Sequence, residues 1–331
     1  GRGENRIQYR QKRQLLFFAI GIGVAYLCYY VDYHFWKRSA MLLLIISILL
    51  LFFVFIPGLG FAAGGAHRWI AIGSFLVQPS EIVKLTFLMY LAVWLEARGK
   101  GIKDLSYGFL PFVVLLGAVV SLVLFQPDLG TVSIIVFLSL ITYFVAGAPW
   151  RYVFTFIFGG LGLVALLIKI APYRAERLTV FLNPSTDPQG IGYHINQALL
   201  AIGSGGLFGR GLGNSLQKYN YLPEVTSDSI FAVIAEELGF ILVLALIALY
   251  FFLFLRGIDI GRRAPDNFGR YLAVGMTAGI VVQAFINMAA LSGLLPLTGI
   301  TLPFISAGGS SLIILMAQVG ILANISRQTR V

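Results

Sequence analysis

The sequence predicts an all-α, polytopic membrane protein, and three observations carry this prediction. Of its 331 residues, 58% are hydrophobic and only 11% are charged, whereas roughly 25% of the residues in a soluble domain are charged. The mean hydropathy is +0.87. The apolar residues also come in long uninterrupted blocks, which is the pattern of membrane-spanning helices. The one cysteine, Cys28, lies inside such a block, so the sequence excludes a disulfide framework and a cysteine metal cluster.

Nine apolar blocks each have about the length that crosses ~30 Å of hydrocarbon. They predict spans at 14–33, 40–56, 80–97, 108–126, 130–147, 152–171, 230–255, 270–291 and 306–326. We expect them to form a single transmembrane domain over residues 1–331, with one large loop at about 172–229.

Basic residues are distributed unevenly between the two sets of loops that alternate along the chain. The first set and the C-terminus hold Lys37, Arg38, Arg98, Lys100, Lys103, Arg151, Arg256, Arg262, Arg263, Arg270, Arg327 and Arg330. The short loops of the second set hold Arg68. Because basic loops stay in the cytoplasm, we expect the first set to be cytoplasmic and the loops at 57–79, 172–229 and 292–305 to be extracytoplasmic. The net charge of +10 is dispersed in this way, so no nucleic-acid partner is expected.

The basic N-terminal segment conflicts with this topology. It would place five cations outside the membrane, namely Arg2, Arg6, Arg10, Lys12 and Arg13. An upstream helix would carry this segment across, so we expect a tenth, N-terminal helix that is missing from this sequence.

Three of the 14 acidic residues lie where the large loop runs into an apolar block, in "TSDSIFAVIAEELGF". Asp228 is either an N-cap, a role that Ser227 could also fill, or a general base at the membrane boundary. Glu236 and Glu237 lie inside the block, where ionisable groups mark functional sites. The alternative is that one of them pairs with a cation such as Lys84. Adjacent helical residues point about 100° apart, so we do not expect both carboxylates to face one cavity.

Two cations, Lys84 and Arg68, lie in or beside the outer loop at 57–79, and each has more than one possible partner. In "VQPSEIVKLTF", Ser80 is a candidate helix cap and Lys84 is the one cation well inside a predicted span. Lys84 either pairs with Glu81 at i,i+3 or contacts a lipid phosphate, Glu236 or Glu237. Arg68, beside a tryptophan, is either an interfacial anchor or an anion contact.

The large loop itself carries further cations. Arg174 and Arg177 lie at the outer end of a predicted helix, against the charge trend, and Arg210 lies in "GSGGLFGRGLGNS". Arginine recognises phosphate well. The glycine-rich segment lacks the preceding strand of a dinucleotide motif, so it is interpreted as a close-packed loop. The small residues of "ISAGGSS" favour close packing of the last helix.

Together these residues resemble the SEDS (shape, elongation, division and sporulation) family of bacterial wall glycosyltransferases, from about Gln11 to the C-terminus. The similarity rests on "GAHRWIAIGSFLVQPSEIVKL", "QPDLGT", "APYRAERLTVFLNPSTDPQGIGYHINQALLAIGSGGLFGRGLGNS", "QKYNYLPEVTSDSIFAVIAEELG" and "LLPLTGITLPFISAGGSS". The wording "GLGNSLQKYNYLPE" is closer to the division-type, FtsW-like members than to the RodA-like ones. The family has ten helices, which agrees with the helix expected upstream.

The resemblance implies a lipid II polymerase of the bacterial cytoplasmic membrane in which Asp228 is the essential aspartate. Asp228 would deprotonate the acceptor hydroxyl, and Arg68, Lys84, Arg174, Arg177 and Arg210 are candidates to hold the departing pyrophosphate. Ser227, Glu81, Glu236 and Glu237 would support the site. A single base predicts inversion at the anomeric carbon. The sequence departs from the family pattern at Ser229 and Ala307, where an aromatic residue is usual.

The expected partners are lipid II, a class B penicillin-binding protein and other division or elongation proteins. A divalent cation, Mg²⁺ or Mn²⁺, is left open, whereas a histidine metal site is not expected because the three histidines lie in separate loops. The main alternative function is a flippase for lipid-linked precursors that depends on Glu236, Glu237 and Lys84. A non-catalytic scaffold and a lipid scramblase are the further alternatives.

Overall fold

The structure is a computed structural model that describes residues 2–56, 58–63, 66–73, 75–170, 178–187, 190–217 and 227–329. The chain forms two compact units. The first comprises Gly1–Pro149, Phe254–Ile280 and Ala307–Val331, and the second comprises Trp150–Leu253 and Val281–Ser306. The expectation of one transmembrane domain stays a prediction.

The helices of the first unit begin and end at sequence signals. They are α1 (Arg2–Tyr30), α2 (Tyr33–Phe53), α3 (Pro79–Arg98), α4 (Leu110–Leu124), α5 (Leu129–Val145) and α10 (Gly309–Arg327). Asp32 caps α2 by accepting the His34 N–H at 2.8 Å. This hydrogen bond, together with the His34 ring, holds the pKa of the Asp32 carboxyl below its ordinary value of 3.8. α3 begins at Pro79, which suits its first turn, and Ser80 is therefore inside the helix and not its cap.

A buried stripe explains how α3 packs in this unit. Val83, Phe87, Leu91 and Leu95 recur every four residues and are fully buried, as expected for one face of a helix. α10 packs along α1, where Gly309 lies against the Phe17 ring. The close packing predicted for the small residues of the last helix is therefore present.

The loop at 57–79, for which no secondary structure was predicted, contains a small antiparallel sheet. Its strands, in the order β1-β2-β3, are Gly60–Ala63, Ala66–Ile72 and Phe75–Val77. Ile70 pairs with Gly60 on one side and with Val77 on the other. The strands are too short to produce a clear alternating pattern in the sequence.

The second unit contains α6 (Trp150–Ile170) and α7 (Ile191–Ser204), together with parts of α8 (Ile230–Arg263) and α9 (Asn267–Leu291). Its core is built from small and apolar side chains of α7, α8 and α9. These include Ala198, Ala201, Phe231, Ala232, Ala235, Ala284, Met288 and Leu291. Because alanine allows close approach of helices, the backbone of α7 comes near that of α8.

Each of the nine predicted spans falls on one helix, so the all-α, polytopic class is confirmed. The largest boundary differences are at α1, which begins at Arg2, at α2, which begins at Tyr33 after its Asp32 cap, and at α8, which continues to Arg263. Within the described residues, six helices are long and apolar enough to cross a membrane. The number of nine crossings stays a prediction. The sequence analysis did not predict α7, which lies inside the large loop.

Candidate active site

Asp228 lies in the turn immediately before α8. The Ala232 N–H donates to the Ser229 carbonyl at 3.0 Å, so Ser229 occupies the N-cap position. Asp228 precedes the cap by one residue. The suggested N-cap position for Asp228 or Ser227 therefore does not match the start of the helix.

Side chains from α9 and from the loop that follows it hold the backbone around Asp228. The Asn287 amide Nδ2 donates to the Asp228 carbonyl at 2.9 Å and to the Ile300 carbonyl at 2.6 Å. The Ser306 hydroxyl donates to the Ser227 carbonyl at 2.5 Å. Asn287 thus fastens the turn that carries Asp228 to the loop at 292–305.

The same loop approaches the carboxylate of Asp228. Gly299 adopts a positive φ of 68°, and a Cβ at this position would lie 3.3 Å from Asp228 Oδ2. Gln283 steadies the loop by donating to the Thr301 carbonyl at 3.0 Å. A residue without a side chain therefore faces the carboxylate, which leaves space beside it.

Ser229, which replaces the aromatic residue usual in the family, is buried and makes a polar contact. Its hydroxyl lies 2.6 Å from His194 Nε2 on α7. This contact links Ser229, the residue next to Asp228, to α7 in the large loop. The sequence did not suggest this pair, since the two residues are far apart along the chain.

Glu236 is a fully buried carboxylate that binds the end of the glycine-rich segment. It accepts hydrogen bonds from the Ser215 hydroxyl at 2.5 Å and from the N–H groups of Leu216 at 3.0 Å and Gln217 at 3.4 Å. The Arg210 guanidinium lies 3.7 Å away and is 38% exposed. Because water screens a half-exposed ion pair, the three hydrogen bonds are the stronger interaction.

Glu237 binds the same segment as Glu236. Its carboxylate accepts the Ser215 N–H at 3.3 Å, while Glu236 accepts the Ser215 hydroxyl. Ser215 therefore contacts both carboxylates. The cation beside Glu236 is Arg210.

The helix α8 is broken directly after these carboxylates. Gly239 has φ 76° and ψ 178°, which is not helical. In an unbroken helix, Phe240 and Ile241 would donate to the carbonyls of Glu236 and Glu237. The break leaves four backbone groups without their helical partners.

The glycine-rich segment supplies the replacement partners. The four bonds are Arg210 N–H to Glu236 O at 3.0 Å, Gly211 N–H to Glu237 O at 2.9 Å, Phe240 N–H to Gly206 O at 2.9 Å and Ile241 N–H to Leu207 O at 3.2 Å. Irregular backbone inside an apolar span must be satisfied by protein. The loop predicted to be close-packed is therefore inserted into the break in α8.

In the first unit, Arg68 on β2 donates hydrogen bonds to two backbone carbonyls. Its Nε donates to the Gln126 carbonyl at 3.1 Å, and its Nη2 donates to the Pro127 carbonyl. These bonds fasten the sheet to the turn before α5. The interfacial anchor and the anion contact both stay predictions for Arg68.

A second buried carboxylate, Asp128, gathers polar groups in the first unit, and the sequence analysis did not single it out. Asp128 accepts from the Thr131 N–H at 3.0 Å and from Gln78 Nε2 at 3.3 Å. The Ser80 hydroxyl donates to it at 3.4 Å, and the Gln78 N–H donates to the Ser310 hydroxyl at 3.2 Å. Three of the quoted motifs thus meet here. The available signal was an acidic residue directly preceding an apolar block.

Lys84 forms the i,i+3 ion pair with Glu81, at 2.9 Å, with side chains that are 6% and 9% exposed. The structure thus contains the ion pair that was one of the alternatives for Lys84. A contact with a lipid phosphate stays a prediction. Arg174 and Arg177 lie outside the described residues.

The donor set in the described part of the chain does not form a metal site. No three His, Cys, Asp or Glu side chains come together there in a way that could hold a metal ion. Mg²⁺ in phosphate-transfer sites often relies on one or two carboxylates together with the substrate's phosphates. A divalent cation therefore stays a prediction, and no step below depends on one.

Comparison with known proteins relates the chain to bacterial wall proteins. The family model for the cell cycle proteins FtsW, RodA and SpoVE matches residues 2–331. Stage V sporulation protein E of Bacillus subtilis is 44% identical over 320 residues, which cover 96% of this chain and 87% of that protein. The probable peptidoglycan glycosyltransferase FtsW of Trichlorobacter lovleyi is 44% identical over 323 residues, covering 96% and 84% of the two chains.

Solved structures agree with the sequence relatives. A chain of a peptidoglycan synthase complex, from work on the coordination of polymerization and crosslinking, matches with a TM-score of 0.83 and 30% identity, covering 97% of this chain and 90% of that one. The rod shape determining protein RodA of Thermus thermophilus matches with a TM-score of 0.71 and 31% identity, covering 96% and 87%. The FtsW relative is thus nearer in sequence than RodA, as predicted. The chain is a multi-pass membrane protein that belongs to the FtsW, RodA and SpoVE family.

Proposed function

We propose that this chain is a peptidoglycan glycosyltransferase that polymerises lipid II at the outer face of the bacterial cytoplasmic membrane. Two relatives that are 44% and 42% identical to this chain are named probable peptidoglycan glycosyltransferases. The observation that carries the proposal is Asp228, whose turn is fixed at the start of a membrane helix and whose carboxylate faces Gly299. This arrangement suits a base that must meet a large, lipid-linked substrate.

The proposed chemistry needs one base and a stabilised leaving group. The Asp228 carboxylate takes the proton from the acceptor sugar hydroxyl, and that oxygen forms the new bond to the anomeric carbon of the donor. The bond from this carbon to the pyrophosphate breaks, and undecaprenyl pyrophosphate leaves with the electron pair. Attack opposite the leaving group inverts the anomeric configuration.

We rank the candidates for holding the pyrophosphate by the contacts that the described ones already make. Arg68 and Lys84 already bind protein acceptors within the first unit. Arg210 lies near Glu236, but its side chain is partly exposed and could therefore also reach a ligand. We therefore place the pyrophosphate contact first on Arg174 and Arg177, with Arg210 next. Arginine suits phosphate because one guanidinium can donate two parallel hydrogen bonds to it.

The proposed partner is a class B penicillin-binding protein. One structural neighbour is a chain of a peptidoglycan synthase complex in which polymerization and crosslinking are coordinated. A polymerase that releases glycan outside the membrane needs a transpeptidase to crosslink its product. We infer the same division of labour here.

The test is polymerisation of purified lipid II by the full-length protein with its partner, whose transpeptidase site is blocked. We compare the wild type with Asp228→Asn and Asp228→Ala, and with Asp259→Asn as a control. Asp259 is a partly exposed carboxylate in α8, the helix that follows Asp228, and is paired with Arg263 at 3.0 Å. We expect polymer from the wild type and the control, and a loss of at least about 100-fold in both Asp228 variants.

The alternative outcome is equally specific. If Asp228→Asn makes polymer at nearly the wild-type rate, Asp228 is not the base. Lipid translocation in vesicles by Glu236→Gln and Lys84→Met would then test the flippase hypothesis. A scaffold would show neither activity.

A further inference from the structure

Asn287 is a buried amide on α9, and the sequence analysis did not consider it. It is 3% exposed and donates to two backbone carbonyls, those of Asp228 and Ile300. Since both acceptors are carbonyls, the side chain must present its NH₂ group to them. Asn287 therefore joins the residue proposed as the base to the loop that faces its carboxylate.

The contacts on either side of Asp228 have the same character. The turn lies outside regular secondary structure, and side chains donate hydrogen bonds to two of its carbonyls. Ser306 holds the carbonyl of Ser227, and Asn287 holds that of Asp228. Two consecutive carbonyls are thus fixed by side chains from elsewhere in the second unit.

The oxygen of the Asn287 amide shows that burying this side chain costs free energy. Its Oδ1 is buried and has no hydrogen-bond partner among the described residues. A leucine would fill a similar volume without burying an unsatisfied acceptor. The amide is therefore explained by the two hydrogen bonds that its nitrogen makes, and one of these reaches Asp228.

We propose that Asn287 is a positioning residue that fixes the backbone of Asp228 so that the carboxylate meets the acceptor hydroxyl. This inference rests on the proposed function of Asp228. Small displacements of a reacting group cost large factors in rate: about 1 Å costs about 100-fold. Asn287 acts through the Asp228 carbonyl and does not itself touch the substrate.

The chain offers a matched control one helical turn earlier. Gln283 is also a buried amide of α9, and it donates to the Thr301 carbonyl at 3.0 Å in the same loop. Both substitutions to leucine remove a buried amide that fastens this loop. Only Asn287→Leu also removes the hydrogen bond to the Asp228 carbonyl.

The experiment measures lipid II polymerisation by the full-length complex, together with the melting temperature of each variant. Asn287→Leu is expected to lower kcat about 10- to 100-fold with KM for lipid II nearly unchanged. Gln283→Leu should lower kcat less than about threefold. Equal losses in both variants at equal melting temperatures would overturn the inference, since the loop alone would then explain them.

A pH profile adds a readout that a purely structural role would not move. In Asn287→Asp, the neutral acid keeps one donor for the Asp228 carbonyl, whereas the ionised form has none. The kcat of this variant relative to the wild type should therefore rise as the pH falls. A ratio that does not change with pH overturns the inference.

The double variant separates this inference from the proposed function. If Asn287 works through Asp228, adding Asn287→Leu to Asp228→Asn should leave the residual rate unchanged. A further fall of 10-fold or more would show that Asn287 acts elsewhere. If Asp228→Asn itself retains the wild-type rate, the proposed base is wrong, whatever Asn287 does.

Discussion

Glu236 and Phe240 are separated by one helical turn, yet they are not hydrogen-bonded to each other. The Glu236 carbonyl accepts from Arg210, and the Phe240 N–H donates to Gly206. The break at Gly239 thus exchanges bonds within α8 for bonds to a loop that lies more than twenty residues earlier in the chain. Because the short segment before the break starts just after Asp228, the loop and the proposed base share one helical support.

Gly209 tests whether the inserted loop supports the site. Its φ is 78°, and a Cβ would overlap the Glu237 carbonyl. We expect Gly209→Ala to expel the loop from the break and to lower both the melting temperature and the polymerisation rate. The control is Gly213→Ala, where φ is 83° but a Cβ meets nothing within 4 Å. Both carry the backbone penalty of about 1–2 kcal/mol, so equal effects would contradict the prediction.

Glu236 and Glu237 can be compared directly by replacing each with glutamine. In the wild type, the Glu236 carboxylate accepts three hydrogen bonds. Glu236→Gln turns an NH₂ group toward some of these donors, and each donor left unpaired costs about 1–3 kcal/mol. Glu237→Gln can still accept from the Ser215 N–H through its amide oxygen. We expect a clear fall in melting temperature for Glu236→Gln and a small one for Glu237→Gln. The reverse order would show that the Glu236 contacts are not the main fastening.

Gly299 tests the space beside the Asp228 carboxylate. An alanine there would place Cβ 3.3 Å from Asp228 Oδ2. Gly293→Ala is the control, because its φ of 71° matches and its Cβ would meet Leu199 at an ordinary 3.7 Å. We expect both to lose similar stability, whereas Gly299→Ala alone loses kcat, by about tenfold or more. Equal kcat values in the two variants would mean that the carboxylate does not use this space.

The sequence located features that depend on local composition and missed those that depend on distant partners. Apolar blocks placed nine helices, and the motif around Asp228 marked the site. The pairing of Ser229 with His194 could not be anticipated, since neither residue carries a local signal. Gly239 looked like one small residue within an apolar run, and its conformation follows from the loop docked against it. Asn287 offered a weak signal, because a buried amide in an apolar span needs partners.

Lys84 and Glu81 provide the last prediction, because their ion pair is nearly excluded from water. Removing one partner leaves the other charge buried, which typically costs about 3–5 kcal/mol, whereas neutral replacement of both is often tolerated. We expect Lys84→Met alone to lower the melting temperature more than the Lys84→Met, Glu81→Gln double variant does. The polymerisation rate of the double variant then decides the role of the pair. A stable, active double variant makes the pair structural, whereas a stable but inactive one returns Lys84 to the candidates for binding the lipid phosphate. Additive losses in melting temperature would show that the two charges do not depend on each other.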